Sequence, residues 1–406
     1  MVEELNMVNG DLDLDNIDLD DIVDGDDLAS MDLSSFGEID DTVDYPHFKV
    51  STKSFKEFLK VAKLVCTAGG KDVVSKAVCL FVDGDNLRCA STDFDVYVEM
   101  TIPLLNDHNI LDEVVVIPTD ILTKLTRAVP VNTVIYKKDD KFYIRLYGGD
   151  IVLETYSMMS DKFIFSDPVV SSEQISSKDL ADVMKDFSPI VIAAVSPAER
   201  RIICESDRAY ASYLFAIIMA KKSFTACDLK PKDINVLKSL VVNSDETLKT
   251  YHTADDVSPK RCQVVGENFK YTFLLSDAKI SDSMKKSISN VVTADGVFVD
   301  FVQLYKMVEV AAELPYSTGK IGINYSDEGI KLAIKTKKDS DAIFDISGSK
   351  EGNTTPIKDE LIVQAKLFRV VLKSFASKSS IRLTVTKDGI GVSADDYSAA
   401  IYSEAV

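Results

Sequence analysis

One unit recurs six times along the chain: a short strand, an amphipathic helix, then three strands joined by tight turns. Helix starts fall at Thr52, Thr119, Ser177, Pro231, Phe301 and Ala365, at intervals of roughly 55 to 70 residues. After the first helix come AVCLFV, the turn DGDN, LRCAST and VYVEMTI; after the sixth come SIRLTVT, KDG, IGVSADD and SAAIYS. The strands are apolar runs or alternate apolar and polar residues with period two, and a single unit cannot bury its apolar face alone. Six half-domains therefore predict three tandem α+β domains of about 120 residues each. Boundaries near 170 and 294 give an arm over 1–46 and domains over 47–170, 171–293 and 294–406. Pro130, Pro189 and Pro259 are expected between elements, where a missing N–H costs little. The middle domain is the least regular, with its first helix read over Lys178 to Phe187.

The helices share a second property. In TKSFKEFLKVAKLVC, from Thr52, cations stand at Lys53, Lys56, Lys60 and Lys63, and Phe55, Phe58, Leu59, Ala62 and Val65 fill the opposite stripe. The sixth helix repeats this, with Lys366, Arg369 and Lys373 facing away from Phe368, Val371, Leu372 and Phe375. Lys124 and Arg127 extend the basic face to the second helix, and Lys230, Lys232 and Lys238 to the fourth. The third mixes Lys178 and Lys185 with Asp179, Asp182 and Asp186; the fifth sets Lys306 against Glu309 and Glu313. A lysine stripe on one helix is ordinarily a solvated face. Matched stripes in a repeat point to a phosphate-facing surface.

The net charge of −19 is concentrated at one end. Residues 1–46 hold sixteen Asp and Glu and no Lys or Arg, so the remaining 360 residues carry a net charge of −3. An acidic segment with so little to bury is expected to be disordered in isolation. Asp11, Asp13 and Asp15 fail as a calcium loop, because Asn16 stands where the glycine is needed and Ile22 where the glutamate is needed. No apolar run is long enough to span a membrane, and the acidic start lacks a basic leader region, so an intracellular, cytoplasmic protein is expected. The six cysteines fall within apolar runs without CxxC spacing and read as reduced core residues. No His or Cys stands at ligand spacing from another, and neither metal nor cofactor is expected.

CASTDFDVYVEM, from Cys89 to Met100 after LFVDGDNLR, resembles the first-domain hairpin of bacterial-type sliding clamps, the beta subunits of replicative polymerases. VVVIPTDILTKLTRAVP resembles the second half-domain of that family. The resemblance spans about 360 residues as pattern and rests on no long invariant motif. It implies the DNA clamp fold, with helices inside and sheets outside a ring of two chains around duplex DNA, a clamp loader and a tethered DNA polymerase. The DNA-facing residues it implies are Lys53, Lys56, Lys60, Lys63, Lys124, Arg127, Lys232, Lys238, Lys366, Arg369 and Lys373. The acidic arm departs from the usual bacterial subunit and points to a divergent, viral member.

The family also carries an apolar peptide groove between its second and third domains. CESDRAYASYLF matches the family's middle-domain step only at Ser206 and Asp207, and the terminus IYSEAV carries Glu404. Tyr210, Tyr213, Tyr402 and Val406 are the groove candidates, with core burial as the alternative for each. MDLSSF, Met31 to Phe36, resembles the peptides that dock in such grooves; the arm is expected either to compete with partners or to act only as a solubilising tail. A clamp-like regulator that binds protein without encircling DNA is the alternative function. No enzyme is expected. Gly69-Gly70-Lys71 and Ser317 to Lys320 lack P-loop framing, and Asp83 and Asp85 belong to a hairpin turn separate from Asp93 and Asp95.

Overall fold

The computed structural model describes residues 43–402 except for 67–71, 107, 148, 158–159, 223, 242–244, 277, 295, 315–316, 327–328, 338–340, 347, 351–356 and 387–388. Most of the acidic arm, with the MDLSSF segment, lies outside the described residues.

All six helices begin where the repeat puts them. The first unit is β1 (His47–Ser51), α1 (Thr52–Val65), β2 (Ala77–Asp83), β3 (Asn86–Thr92) and β4 (Tyr97–Pro103). The second is β5 (Val115–Pro118), α2 (Thr119–Leu125), β6 (Asn132–Lys138), β7 (Lys141–Leu146) and β8 (Gly149–Val152). The third is β9 (Val169–Ser176), α3 (Ser177–Ala193), β10 (Ile202–Glu205), β11 (Arg208–Tyr213) and β12 (Ala216–Ala220). The fourth is β13 (Cys227–Leu229), α4 (Pro231–Val241), β14 (Thr247–Thr253), β15 (Arg261–Val265) and β16 (Phe269–Leu274). A helix outside the repeat, α5 (Asp282–Thr293), follows. The fifth unit is β17 (Gly296–Asp300), α6 (Phe301–Glu313), β18 (Ser317–Ser326), β19 (Gly329–Thr336) and β20 (Ala342–Ile346), with the short β21 (Gly348–Lys350) behind it. The sixth is β22 (Ile357–Gln364), α7 (Ala365–Lys373), β23 (Ser380–Thr386), β24 (Gly389–Ala394) and β25 (Tyr397–Tyr402).

The units pair by exchanging their lead strands. β1 pairs with β6 while β5 pairs with β2; β9 pairs with β14 while β13 pairs with β10; β17 pairs with β23 while β22 pairs with β18. This produces three tandem domains. Sheets then run across the joins. β4 meets β16, with Val98 opposite Tyr271 and Met100 opposite Phe269, inside an eight-stranded sheet β5-β2-β3-β4-β16-β15-β14-β9. β12 meets β25, with Ala216 opposite Ile401, inside the nine-stranded sheet β13-β10-β11-β12-β25-β24-β23-β17-β21. Two four-stranded sheets complete the set, β1-β6-β7-β8 and β20-β19-β18-β22. In them β8 and β20 are edge strands.

Packing follows the sequence stripes. Phe55, Phe58, Leu59 and Ala62 of α1 are buried with Val78, Leu80 and Ile117 of the strands beneath. Each large side chain so buried contributes roughly 1.5–3 kcal/mol. Helix α3 runs past Phe187 and contains Pro189, contrary to the expectation that this proline separates elements. Ile190 and Val191 are buried in the main core, and the Ser188 hydroxyl donates to the Met184 carbonyl at 2.5 Å. Core packing of the last helical turn outweighs the proline penalty of about 3 kcal/mol.

One buried carboxylate organises the start of α4. Asp233 accepts a hydrogen bond from the Lys230 backbone N–H at 3.0 Å and another from the Tyr271 hydroxyl at 2.7 Å. Burial dominates over these donors and pushes its pKa up to about 6. The folded state therefore binds this proton more tightly than the unfolded chain, whose Asp titrates near 3.9. Stability is expected to fall as pH rises through about 6, by about 2–3 kcal/mol for this group. In Asp233→Asn the amide oxygen keeps the Lys230 bond and the amide nitrogen can donate to the tyrosine. Urea unfolding at pH 4.5 and pH 7.5 should show wild type losing about 2 kcal/mol of that increment relative to the variant; parallel pH profiles would remove Asp233 as the cause.

Candidate nucleic-acid interface and partner face

The six repeat helices lie side by side in one continuous row, α2-α1-α4-α3-α7-α6. Each turns its apolar stripe to the sheets behind and leaves the other face uncovered. On α1, Lys53, Lys56, Lys60 and Lys63 are all exposed, and none makes an ion pair with another described residue. Lys124 and Arg127, at the end of α2 and just beyond it, are exposed, as are Lys366 and Lys373 of α7. Arg369 is half-buried and donates to Glu313 of α6 at 2.6 Å, which ties the last two helices together.

Two of the expected DNA contacts are also tied to neighbouring helices. Lys232 donates to the Asp93 carboxylate at 2.5 Å and to the Val65 carbonyl at 2.6 Å, fastening α4 to the end of α1. Lys238 reaches the Ser188 hydroxyl at 2.6 Å, and burial holds its ammonium below the usual lysine range. Both join helices. Other cations fill out the row: Lys178 and Lys185 on α3 and Lys306 on α6 are exposed. Of the acids mixed among them, Asp179 is paired with Lys222 at 2.5 Å. An exposed row of ammonium groups attracts phosphate without reading base edges.

The tyrosines expected in a partner groove fall on two different faces of the sheet. Along β10, β11, β12 and β25 the side chains alternate between two faces. Ala209, Ala211, Ile218 and Ile401 join the main core under α3 and α7, whereas Tyr210, Ile217, Met219 and Ala400 form a separate cluster on the other face. Helix α5 covers that cluster with Met284, Ile288 and Val291. Tyr210 is only 1% exposed. Lys285 of α5 sits over its ring at 5.7 Å and pairs with Glu205 at 2.5 Å. Tyr402 packs against the same cluster, while Tyr213 packs on the opposite face against the main core. Tyr210 is thus a core residue, Tyr402 and Tyr213 are half-buried on opposite faces, and Val406 lies outside the described residues.

What stays open on this side is the turn between β11 and β12. Leu214 and Phe215 occupy it at 49% and 50% exposure. Leu214 has φ of +51°, a conformation that favours Asn or Gly and strains a branched side chain. The Leu214 N–H donates to Glu199 at 3.2 Å, and the Phe215 carbonyl accepts from the Tyr402 N–H at 2.8 Å. This apolar tip therefore borders the last described strand.

The carboxylates considered for metal chemistry have other roles. Asp83 pairs with Arg88, and Asp93 caps its own turn by accepting from the Val96 N–H. Among the described residues no group of three or more His, Cys, Asp or Glu side chains is arranged to hold a metal ion. No described helix is long and apolar enough to cross a membrane.

Three tandem domains, lead-strand exchange, sheets running across the joins and a single row of helices define the DNA clamp fold. Among solved structures the chain is similar to the DNA polymerase sliding clamp of Pseudomonas aeruginosa, at 16% identity over 89% of this chain and 99% of that one, with a TM-score of 0.70. It is likewise similar to the DNA polymerase III beta subunit of Thermotoga maritima, at 15% identity, 89% and 99% coverage and a TM-score of 0.69. The sliding clamp of Bacillus subtilis matches at 12% identity, 89% and 100% coverage and a TM-score of 0.70. No family model matches the sequence, and no curated protein matches it.

Proposed function

We propose that this protein is a sliding clamp: a non-enzymatic processivity factor that closes around duplex DNA and tethers a DNA polymerase during replication in the cytoplasm. The observation that carries the reading is the continuous row of helices presenting unpaired lysines on a clamp fold. The DNA-facing set is Lys53, Lys56, Lys60, Lys63, Lys124, Arg127, Lys366 and Lys373, joined by Lys178, Lys185 and Lys306, with Arg369 at the edge. Such contacts hold the backbone without fixing position along it, so the ring slides.

Two copies would complete the ring. Each has one free edge at β8 and one at β20, and exposed apolar side chains stand on both: Val152 at 51% and Ile343 at 66%. Head-to-tail pairing of β8 with β20 would join two four-stranded sheets into one of eight, the size of the first interdomain sheet. A ring closed in this way cannot thread onto circular DNA unaided and would need a clamp loader. The domain divisions proposed are 47–170, 171–293 and 294–406, with the first boundary better placed before β9, whose Val169 and Val170 pair with β14. The polymerase contact is assigned to the exposed Leu214-Phe215 tip beside Tyr402.

Retention on DNA of different topology tests the reading. Protein loaded on a nicked circle should stay bound through gel filtration and leave when the circle is cut, with a release rate that rises steeply with salt. Equal retention on circular and linear DNA, or none on either, would overturn it in favour of a clamp-shaped regulator that binds only protein.

A further inference from the structure

Three of the six cysteines converge in the middle domain, although they are far apart in sequence. Cys204 on β10 and Cys227 on β13 are directly opposed in an antiparallel pair, so both thiols project from the same face. Opposed residues in such a pair have Cα atoms about 4.5–5.5 Å apart, inside the range a disulfide spans. Cys262 arrives from the other sheet on β15 and joins the same hydrophobic cluster. It stands opposite His252 in its own strand pair, and the His252 Nε2 is 3.0 Å from the Thr225 hydroxyl, two residues before Cys227.

The trio is not uniform. Cys204 and Cys262 are buried, whereas Cys227 lies half-buried on the outermost strand of the nine-stranded sheet. Hydrogen bonds from its two neighbouring thiols hold the Cys227 sulfur well below the ordinary cysteine range, and the same contacts with burial push Cys204 and Cys262 up. The remaining cysteines contrast with this. Burial pushes Cys79 up to about 12 and raises Cys89 as well, and the two are not opposed in their strand pair. Cys66 is occupied with the hydroxyls of Ser91 and Thr119 at 3.3 and 3.1 Å.

We infer that Cys227 and Cys204 form a thiol redox couple, in which a peroxide oxidises Cys227 and Cys204 closes a reversible cross-strand disulfide. The Cys227 thiolate attacks one peroxide oxygen; the O–O bond breaks, hydroxide leaves and takes up a proton as water, and the sulfur becomes a sulfenic acid. The Cys204 sulfur then attacks Cys227, the S–O bond breaks, and the hydroxyl departs as water with the Cys204 proton. Two electrons pass from the two thiols to one peroxide. A dithiol restores the starting state by exchange. The link would fasten β13, which leads into α4 and its Lys232 tie, to β10. This inference is independent of the clamp reading.

Full-length protein treated with hydrogen peroxide at about 1 mM and then alkylated tests it. The count of reactive thiols after denaturation should fall from the six of the reduced chain to about four, and return with dithiothreitol. Trypsin separates the three candidates into peptides 202–208, 223–232 and 262–270, so mass spectrometry identifies the linked pair directly. A 202–208 to 223–232 link is expected, lost in Cys227→Ser and kept in Cys89→Ser; Cys204→Ser should leave a sulfenic acid on Cys227 that dimedone traps. Six thiols surviving a dose that oxidises glutathione, or a link joining any other pair, would overturn the proposal. Both readings come from wild-type protein and do not depend on how a variant folds.

Discussion

Changing Lys53, Lys56, Lys60 and Lys63 together to alanine is expected to weaken binding to duplex DNA at about 0.1 M salt by on the order of a thousandfold, if each lysine neutralises one phosphate. Each neutralised phosphate releases about 0.9 of a counterion, so the slope of log affinity against log salt should flatten by about 3.6 per chain. Folding should be unaffected, because the four ammonium groups are exposed and Phe55, Phe58, Leu59 and Ala62 still anchor the opposite face of the helix; exposed changes of this kind stay within about 0.5 kcal/mol each. Lys232→Ala should behave oppositely. It removes the tie to Asp93 and Val65, so stability should drop while the salt slope changes little. Fluorescence anisotropy over a salt series, with urea unfolding beside it, separates the two cases. An unchanged slope in the quadruple variant would take α1 out of the DNA-facing set.

Introducing a carboxylate at either free sheet edge is expected to convert a two-copy ring into single chains. Ile343→Asp on β20 and Val152→Asp on β8 each place a charge where the proposed strand pairing would bury it. An unpaired buried charge costs several kcal/mol, which corresponds to at least a hundredfold weaker association. In a head-to-tail ring of two, both interfaces contain one β8 and one β20, so a single substitution damages both at once. Val131→Asp, at an exposed valine in the loop before β6, is the matched control and should leave association intact. Sedimentation velocity reads the outcome. Unchanged association in both edge variants would assign ring closure to another surface, and a wild-type chain that is monomeric throughout would leave closure to DNA or a loader.

The repeat architecture was legible because its signals are local. A 3.6-residue stripe beside a cation row at Lys53 to Lys63 and Lys366 to Lys373 reports a helix with one face buried, and the apolar run AVCLFV or the alternation in SIRLTVT reports a strand, whatever those elements later touch. Two misreadings were also local in origin. Helix α5 carries its own signals, an Ser281 cap accepting from the Met284 N–H and apolar residues at Met284, Ile288 and Val291, yet a sixfold repeat has no slot for it. In RAYASY the period of two already puts Tyr210 and Tyr213 on opposite faces, which grouping them together overlooked.

The lysines divide along the same line. That Lys232 and Lys238 sit on a basic helix face is a property of α4 alone. That one is bound to Asp93 and the other half-buried beside Ser188 depends on α1, β3 and α3 reaching the same place. Nothing near Lys232 in the chain specifies Asp93.

The sequence by itself determined six strand-and-helix units, their starting residues, the basic faces and the apolar stripes beneath them, since backbone geometry imposes those periods one element at a time. Only the tertiary structure decided which of the α1 lysines and their counterparts stay exposed, which tyrosines α5 covers, which cysteines meet and that β8 and β20 end their sheets. Those outcomes depend on contacts between segments far apart in the chain, and such contacts leave no period in the sequence.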